Sequence, residues 1–434
     1  MNYQETIQYL YDRLPVFHII GSSAYKPGFD NTIRLMELLD NPHKKFKSIH
    51  IAGTNGKGSV SHYIASILQQ AGYKVGLYTS PHLVDFGERI RINGKMIEEH
   101  FVVDFIEQNK NSIESIQPSF FELTMAMGFS YFADQKADIA VVEVGLGGRL
   151  DSTNIIHPEL SIITNIGFDH VEFLGDTLEK IAAEKAGIIK KGVPVVIGET
   201  LPETKPVFWQ KAVEMNAEIN FASEKKDVKL IKFSNGKMLV EADNLHYFSE
   251  LSGIYQLKNI ATVLTAIEVL NTTSSFQIPD NAIKSGMEQV CSITGLRGRW
   301  EVISLNPMIV VDTGHNVHGI QQLVNQLKYQ EYKTLRIVIG MVNDKDISGV
   351  LQLLPTEAVY YFTQAKVKRA LPAGELRERA LVYQLQGKKY DLIQDALDDS
   401  ISDSHPKDLI LITGSNFVVG EALNILNQIN KEII

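Results

Sequence analysis

Cysteine is almost missing from this chain: Cys291 is the single one among 434 residues. That excludes a disulfide framework and a cysteine-based zinc site, and it fits a reducing compartment. Long apolar runs are missing too. No uncharged stretch approaches the roughly 20 residues of a membrane span. The opening Met-Asn-Tyr-Gln-Glu-Thr lacks the basic-then-apolar profile of a signal peptide. The expectation is a cytoplasmic protein with no membrane partner. Positive charge is short as well: a formal net charge of −9 argues against nucleic acid. An anionic ligand would have to be held by local positive charge. What is there is ordinary for a globular protein, 44% hydrophobic and 21% charged residues, in a chain long enough for two or three domains.

Residues 48–59, Ser-Ile-His-Ile-Ala-Gly-Thr-Asn-Gly-Lys-Gly-Ser, organise the rest. A short apolar stretch (Ile49, Ile51, Ala52) runs into a turn with Gly53, Gly56 and Gly58 around Lys57. Val60, Ile64, Ile67, Leu68 and Ala71 then recur at helical spacing. Strand, glycine loop, lysine and helix make a phosphate cradle. Backbone N–H groups close on the anion, the helix N-terminus adds partial positive charge, and Lys57 adds a full one. The spacing departs from G-x-x-x-x-G-K-[ST], because only Thr54 and Asn55 separate Gly53 from Gly56, and Gly58 separates Lys57 from Ser59.

Taken in order, residues 1–45 read as two helices around a polar loop, Gly21–Gly28. Val75–Thr79 is a strand that places Ser80 past its carboxyl end, where open parallel sheets bind ligands. The charge cluster Glu88, Arg89, Arg91 leaves a solvated face and a functional role equally open. Residues 99–134 are helical with a break at Pro118. Ala137–Val144 is apolar without alternation, a strand covered on both faces, with Glu143 near its end as a hard-oxygen ligand suited to Mg²⁺. Leu160–Thr164 is a strand leading to His170. The pattern over Asp176–Lys190 predicts a helix whose apolar stripe (Leu178, Ile181, Ala182, Ile188, Ile189) has Lys185 in its gap. A lysine there is costly unless paired, neutral or modified. Val195–Gly198 is a further strand. Residues 217–250 read as an antiparallel insert around the Asn235-Gly236 turn. Helices near 256–270 and 279–290 close the first domain. A polar, Gly-rich segment at 292–299 marks the domain boundary. After it, strands at Met308–Asp312, Leu335–Gly340, Ala358–Phe362 and Leu409–Thr413 alternate with helices, a second and smaller α/β domain. Asp312, His315 and Asn316 lie at the end of its first strand.

In register, HIAGTNGKGS, YTSPHL with FGERI, EVGLGGRLDSTN, TNIGFDH, IAAEKAGIIK, GRWE, DTGHN, NDKD and LITGS resemble the folylpolyglutamate synthase/dihydrofolate synthase branch of the Mur-ligase superfamily over nearly the whole chain. The resemblance implies an α/β fold. A P-loop-containing, mostly parallel sheet domain with a small antiparallel insert (1–296) would precede a smaller Rossmann-like ligase domain (297–434). It implies an ATP-dependent ligase that phosphorylates a folate carboxylate, which the amino group of L-glutamate then attacks. The partners would be dihydropteroate or reduced folates, L-glutamate and ATP as co-substrate, with two Mg²⁺ ions and a monomeric enzyme.

Residue by residue, the resemblance gives Gly53, Thr54, Asn55, Gly56, Lys57, Gly58, Ser59, Asn259, Arg299 and Asp312 to ATP. Ser80 and Glu143 would bind one metal; Glu143, His170 and a carbamylated Lys185 would bind the other. His315 joins Lys57, Glu143, His170 and Lys185 as catalytic. Gly28, Phe29, Asp30, His82, Phe120, Phe121, Glu122, Leu150 and Asp151 would line the folate pocket. The sequence departs from the family's second-domain motif at Gly314 and Val317, where alanine and proline are usual. An acyl phosphate is quickly lost to water, so the site is expected to close before it forms.

Two other readings stand beside this one. Polyglutamylation alone, or another Mur-type amide ligase, would keep the chemistry. A GTPase switch would need a guanine-reading Asn-Lys-x-Asp, and Asn343-Asp344-Lys345-Asp346 has the wrong order in the wrong domain.

Overall fold

In the computed structural model of this chain, residues 1–15, 28–234, 236–343 and 345–433 are described. The polar loop up to Pro27, Asn235 of the hairpin turn and Asp344 lie outside them.

The chain divides into two compact units, one of Met1–Glu250 with Gln256–Leu296, the other of Leu251–Tyr255 with Arg297–Ile434. The sequence left 251–255 inside the first domain. Hydrogen bonds explain its place in the second: Ile254 N donates to Gln326 Oε1 at 2.6 Å, and the Tyr255 hydroxyl donates to Asp312 Oδ2 at 2.6 Å.

The first unit is built on eight strands. They are β1 (Lys47–Ala52), β2 (Val75–Tyr78), β3 (Ile90–Ile92), β4 (Lys95–Met96), β5 (Ile139–Glu143), β6 (Leu160–Ile163), β7 (Val195–Ile197) and β8 (Ile219–Phe221). Their order is β4-β3-β2-β5-β1-β6-β7-β8. The run from β2 to β8 is parallel, and β3 and β4 form an antiparallel edge. β5 and β6 are buried along their whole length, as their unbroken apolar sequences require. Because β1, β2, β5 and β6 run the same way, the segments that follow them emerge along one edge of the sheet. That edge holds the candidate site.

Local sequence places several of the expected elements and shortens one. The helices Glu99–Ile116 and Phe120–Asp134 flank Pro118, and the second starts on a Ser119–Glu122 capping box. The helix predicted over Asp176–Lys190 spans only Leu178–Ala186. It ends at Gly187, where an added Cβ would lie 2.4 Å from Arg149 Cα; the neighbouring loop packs too closely for another helical turn. The insert is also smaller than expected. Ile219–Phe221 joins the main sheet beside β7, and only β9 (Lys229–Ser234), β10 (Lys237–Ala242) and β11 (Leu245–Ser249) form the separate antiparallel sheet.

The second unit has a sheet of β12 (Glu301–Leu305), β13 (Met308–Val311), β14 (Leu335–Ile339), β15 (Val359–Phe362), β16 (Gly387–Lys389) and β17 (Leu409–Thr413). The order is β12-β13-β17-β14-β15-β16, parallel except for β12. β16 is Gly-Lys-Lys and β12 a half-buried edge, so neither carries the apolar run that marked the other four strands.

Candidate active site

β1 ends at Ala52, and the chain turns through Gly53 at φ 148° and Gly56 at φ 83°. The helix Lys57–Gln70 starts at once, so Lys57, Gly58 and Ser59 form its first turn rather than part of the loop. The N–H groups of that turn have no intrahelical acceptor, the usual basis of anion binding. The amides of Thr54 and Asn55, expected to join the cradle, are already used: they donate to Asn165 O at 3.0 Å and Asn165 Oδ1 at 2.8 Å. Thr54 Oγ1 exchanges hydrogen bonds with Gly167, and Thr164 Oγ1 donates to Asn55 O at 2.6 Å. Residues 164–167 therefore hold the loop from the side. The sequence pointed to this stretch only through His170.

Asn259 sits against the same loop. A Cβ on Gly56 would lie 2.4 Å from Asn259 Oδ1. Asn259 Nδ2 donates to Gln256 Oε1 at 2.7 Å, and Gln256 Nε2 donates to the buried Ser59 hydroxyl at 3.1 Å. Ser59 is thus engaged by Gln256.

Two lysines reach the loop carbonyls. Lys57 Nζ donates to Gly53 O at 3.0 Å and Thr54 O at 3.1 Å, and Lys185 Nζ donates to Gly53 O at 2.9 Å. Lys185 is 3% exposed. Burial pulls its pKa down to about 7, and the nearby Lys57 charge adds to the shift. Asp169 and Asp151 oppose it. Asp169 is thus a carboxylate near the buried lysine that the sequence did not single out; its Oδ1 accepts the backbone N–H of His170 at 3.0 Å. His170 is held in the left-handed region, φ 49°, at the start of a one-turn helix. Glu143, buried at the end of β5, accepts the Ser80 N–H through Oε2 at 3.1 Å. Glu143 and Ser80 are therefore brought together, as are Lys57 and Lys185.

Among the described residues, no group of three or more His, Cys, Asp and Glu side chains could by itself hold a metal ion. Glu143, Asp169 and the Ser80 hydroxyl are hard oxygen donors along this edge, the type Mg²⁺ takes, and His170 adds an imidazole. An ammonium on Lys185 would repel the cation. The set is chemically complete only with that lysine neutral or converted to an anion.

The expected folate-pocket residues divide. Phe120 is buried, stacked on Tyr11 with centroids 5.3 Å apart. Glu122 is spent on its helix cap, accepting Ser119 N at 2.6 Å. Asp151 is buried and accepts the N–H groups of Gly145, Leu146 and Thr153 at 3.0, 2.9 and 2.9 Å. Phe121, Leu150, Gly28 and Phe29 are half-buried and Asp30 is exposed. His82 bonds the Tyr11 hydroxyl through Nε2 at 3.0 Å and accepts from Arg89 Nε at 2.7 Å. Neither Arg89 nor Arg91 is solvated; both are buried.

In the second unit, Asp312 accepts from the Tyr255 hydroxyl, from Trp300 N at 2.7 Å and from Gly314 N at 2.8 Å. Its carboxylate organises the 312–316 loop. Arg299 donates to Gly298 O at 3.0 Å and to the Thr313 hydroxyl. His315 Nδ1 bonds Thr313 O at 2.9 Å, so Nδ1 carries a proton. A Cβ at Gly314 would lie 2.8 Å from Leu323 Cδ1, so an alanine here would need the Leu323 side chain to shift.

Comparison with known proteins gives the family. Residues 51–267 match the Mur ligase middle domain, and residues 298–416 the Mur ligase glutamate ligase domain. The dihydrofolate synthase/folylpolyglutamate synthase of Bacillus subtilis is 33% identical, covering 96% of this chain and 98% of its own. The structure of E.coli FolC in complex with DHPP and ADP superposes with a TM-score of 0.85 at 28% identity, covering 99% of each chain. That of the bifunctional folylpolyglutamate synthase/dihydrofolate synthase of Yersinia pestis with AMPPNP and Mn ion gives a TM-score of 0.83 at 28% identity over 98% of each chain. This chain belongs to the folylpolyglutamate synthase/dihydrofolate synthase family of Mur-type, ATP-dependent ligases.

Proposed function

We propose that this enzyme joins L-glutamate to dihydropteroate and to reduced folates. A substrate carboxylate oxygen attacks the γ-phosphorus of ATP, the bond to the β-phosphate oxygen breaks, and ADP leaves. The glutamate amine then attacks the acyl carbon, the nitrogen loses its proton, and inorganic phosphate departs. The observation that carries this reading is the convergence of Lys57 and Lys185 on the Gly53 carbonyl in a phosphate loop, with Glu143 and Ser80 joined on the same sheet edge.

In this reading the first-turn amides and Lys57 hold the triphosphate, Asn259 supports the loop, and Arg299 adds a nucleotide contact. Asp312 acts through the loop it organises, and His315 is the catalytic candidate of the second unit. Ser80, Glu143, His170 and Lys185, with Asp169 beside them, would hold magnesium, which neutralises phosphate charge so that an anionic carboxylate can approach. Lys185 fits that role as a carbamate: its neutral amine adds CO₂ and releases a proton, leaving a carboxylate. We place the enzyme in the cytoplasm as a monomer, with no nucleic-acid partner. Among the described residues no helix is long and apolar enough to cross a membrane.

Polyglutamylation alone is the second reading. It is favoured by the burial of Phe120 and the capping role of Glu122, which leave Phe121 as the half-buried ring offered to a separate dihydropteroate pocket. ADP release with ATP, Mg²⁺ and glutamate, in the presence of either dihydropteroate or tetrahydrofolate, separates them. Release with both supports bifunctionality. Release with tetrahydrofolate alone leaves the second reading, and release with neither overturns both.

A further inference from the structure

Arg89 ends the short helical turn Phe86–Arg89 that leads into β3, and it is 3% exposed. Among the described residues its guanidinium makes one hydrogen bond, from Nε to His82 Nδ1 at 2.7 Å, and it lies 5.2 Å from the centre of the Phe120 ring. No carboxylate among the described residues lies within ion-pair distance of it. The adjacent acid, Glu88, acts on it through space but makes no ion pair with it, being engaged by backbone amides. Its Oε2 accepts Leu83 N at 2.8 Å, and its Oε1 accepts Val84 N at 3.0 Å and Asp85 N at 2.9 Å. The remaining electrostatic neighbours are the hydroxyls of Tyr78 and Tyr11 and, on the site side, Glu143. Burial alone pulls the guanidinium below its ordinary range.

A guanidinium stays charged at any physiological pH, and a buried charge without a counter-ion is costly. Buried arginines meet that cost with a carboxylate or with carbonyl oxygens, as Arg91 does with Gly94 O; Arg89 has an aromatic face and a neutral imidazole. Its contacts, His82 and Phe120, belong to the expected folate pocket, and Glu143 of the expected metal edge acts on it through space. We propose that Arg89 is a substrate-binding residue whose missing counter-ion is a carboxylate of the folate substrate. The inference rests on the folate reading above and extends it. Two sources share this chemistry: the carboxylate that reacts, present in dihydropteroate and in folates alike, and the α-carboxylate of a glutamyl tail, present only in folates.

The test uses the full chain with Arg89→Met and Arg89→Lys. Unfolding temperature is measured without ligand, and with dihydropteroate, tetrahydrofolate or 6-hydroxymethylpterin, which has no carboxylate. An apolar side chain of similar length removes the unpaired charge, so the ligand-free Arg89→Met protein should melt at the wild-type temperature or a few degrees higher. The stabilisation given by dihydropteroate or tetrahydrofolate should be lost, and any effect of 6-hydroxymethylpterin unchanged. In turnover, KM for the folate should rise at least 30-fold with KM for ATP within twofold, and Arg89→Lys should fall between. Loss with both substrates assigns the reacting carboxylate; loss with tetrahydrofolate alone assigns the tail. Unchanged folate binding in both variants overturns the inference. If Arg89→Met does not fold, Arg89→Lys decides: wild-type KM overturns the inference, and a rise specific to the folate upholds it. A wild-type protein that neither binds nor turns over any folate overturns the functional reading instead.

Discussion

Lys57 and Lys185, 128 positions apart in sequence, donate to one acceptor, the Gly53 carbonyl, at 3.0 and 2.9 Å. One lysine opens a helix and the other closes one; the glycine turn between β1 and the first helix brings their amines together. Burial draws the Lys185 amine down to about 7, and the charge of Lys57 beside the same carbonyl adds to the shift. The pair is thus an anion-attracting loop lysine beside an amine poised to be neutral. Lys185→Ala should leave folding largely intact and lower turnover by about a thousandfold or more, the scale of losing a group central to charge stabilisation. A small carboxylic acid in the buffer should restore part of the activity. An ADP-release assay reads both effects, and turnover within tenfold of wild type would remove Lys185 from the chemistry.

Glu143 separates charge from shape. Its Oε2 accepts the Ser80 N–H, a contact that a glutamine carbonyl can keep. Glu143→Gln should therefore melt near wild type and bind ATP. Its turnover should fall by orders of magnitude at limiting Mg²⁺, because the lost property is the negative charge. Magnesium titrations of turnover check this, and wild-type turnover at low Mg²⁺ would remove the residue from the metal site.

Gly56 and Asn259 test the nucleotide loop by crowding. Gly56→Ala places a Cβ 2.4 Å from Asn259 Oδ1 in a left-handed backbone, a conformation that costs a side chain roughly 1 kcal/mol by itself. Asn259 must withdraw, and its bond to Gln256, which in turn bonds Ser59, is lost with it. KM for ATP should rise at least tenfold. In Gly56→Ala/Asn259→Ala the clash is gone, so the double variant should be less impaired than the sum of the single effects. Strict additivity in a double-mutant cycle would contradict the packing argument.

The phosphate loop, the buried strands and the carboxylate at the end of β5 were legible because each is a local pattern: glycine spacing, an unbroken apolar run, an acid at its end. Lys185 was legible as an exception to its helix stripe. Asp169 and Asn165 were not, because their roles depend on β6 lying beside β1, a pairing no local pattern records. Arg89 was missed for a similar reason. In sequence it belongs to a charge cluster that could be solvated or functional, and only the turn that folds Glu88 onto the amides of residues 83–85 shows that the two form no ion pair. Phe120, Glu122 and Asp151 show the converse limit. Residue type suggested stacking rings and acceptors, but packing, a helix cap and loop amides had already engaged them. The grouping of 251–255 with the second compact unit was not legible because composition does not change there; its partners, Gln326 and Asp312, are remote in sequence.

His50 carries a pH dependence whose sign follows from a directed chain of hydrogen bonds. Its Nε2 bonds Thr153 Oγ1 at 2.8 Å, and that hydroxyl donates onward to Asp151 Oδ1. Thr153 therefore accepts from His50, and Nε2 carries the proton. Nδ1 is buried without a partner among the described residues. Protonating it would create an unmet N–H in a buried strand, next to the positive field of Lys190, which is why the folded pKa drops to about 3 from 6.5. A folded pKa below the unfolded one means that the unfolded chain takes up a proton first. The contribution of neutral His50 is complete above the unfolded value near 6.5, declines as pH falls below it, and is gone below about 3. Between pH 7 and 5 the loss is about 2 kcal/mol. Asp151, whose carboxyl is pushed up by burial, acts in the opposite sense; it is present in both proteins, so a comparison of wild type with His50→Gln isolates the histidine. His50→Gln keeps an N–H for Thr153 and does not titrate. The difference in unfolding free energy between wild type and His50→Gln should shift by about 2 kcal/mol from pH 7 to 5, with wild type losing the more. Urea unfolding of the two proteins at both pH values measures it, and parallel curves would mean that His50 titrates in the fold much as it does in the unfolded chain.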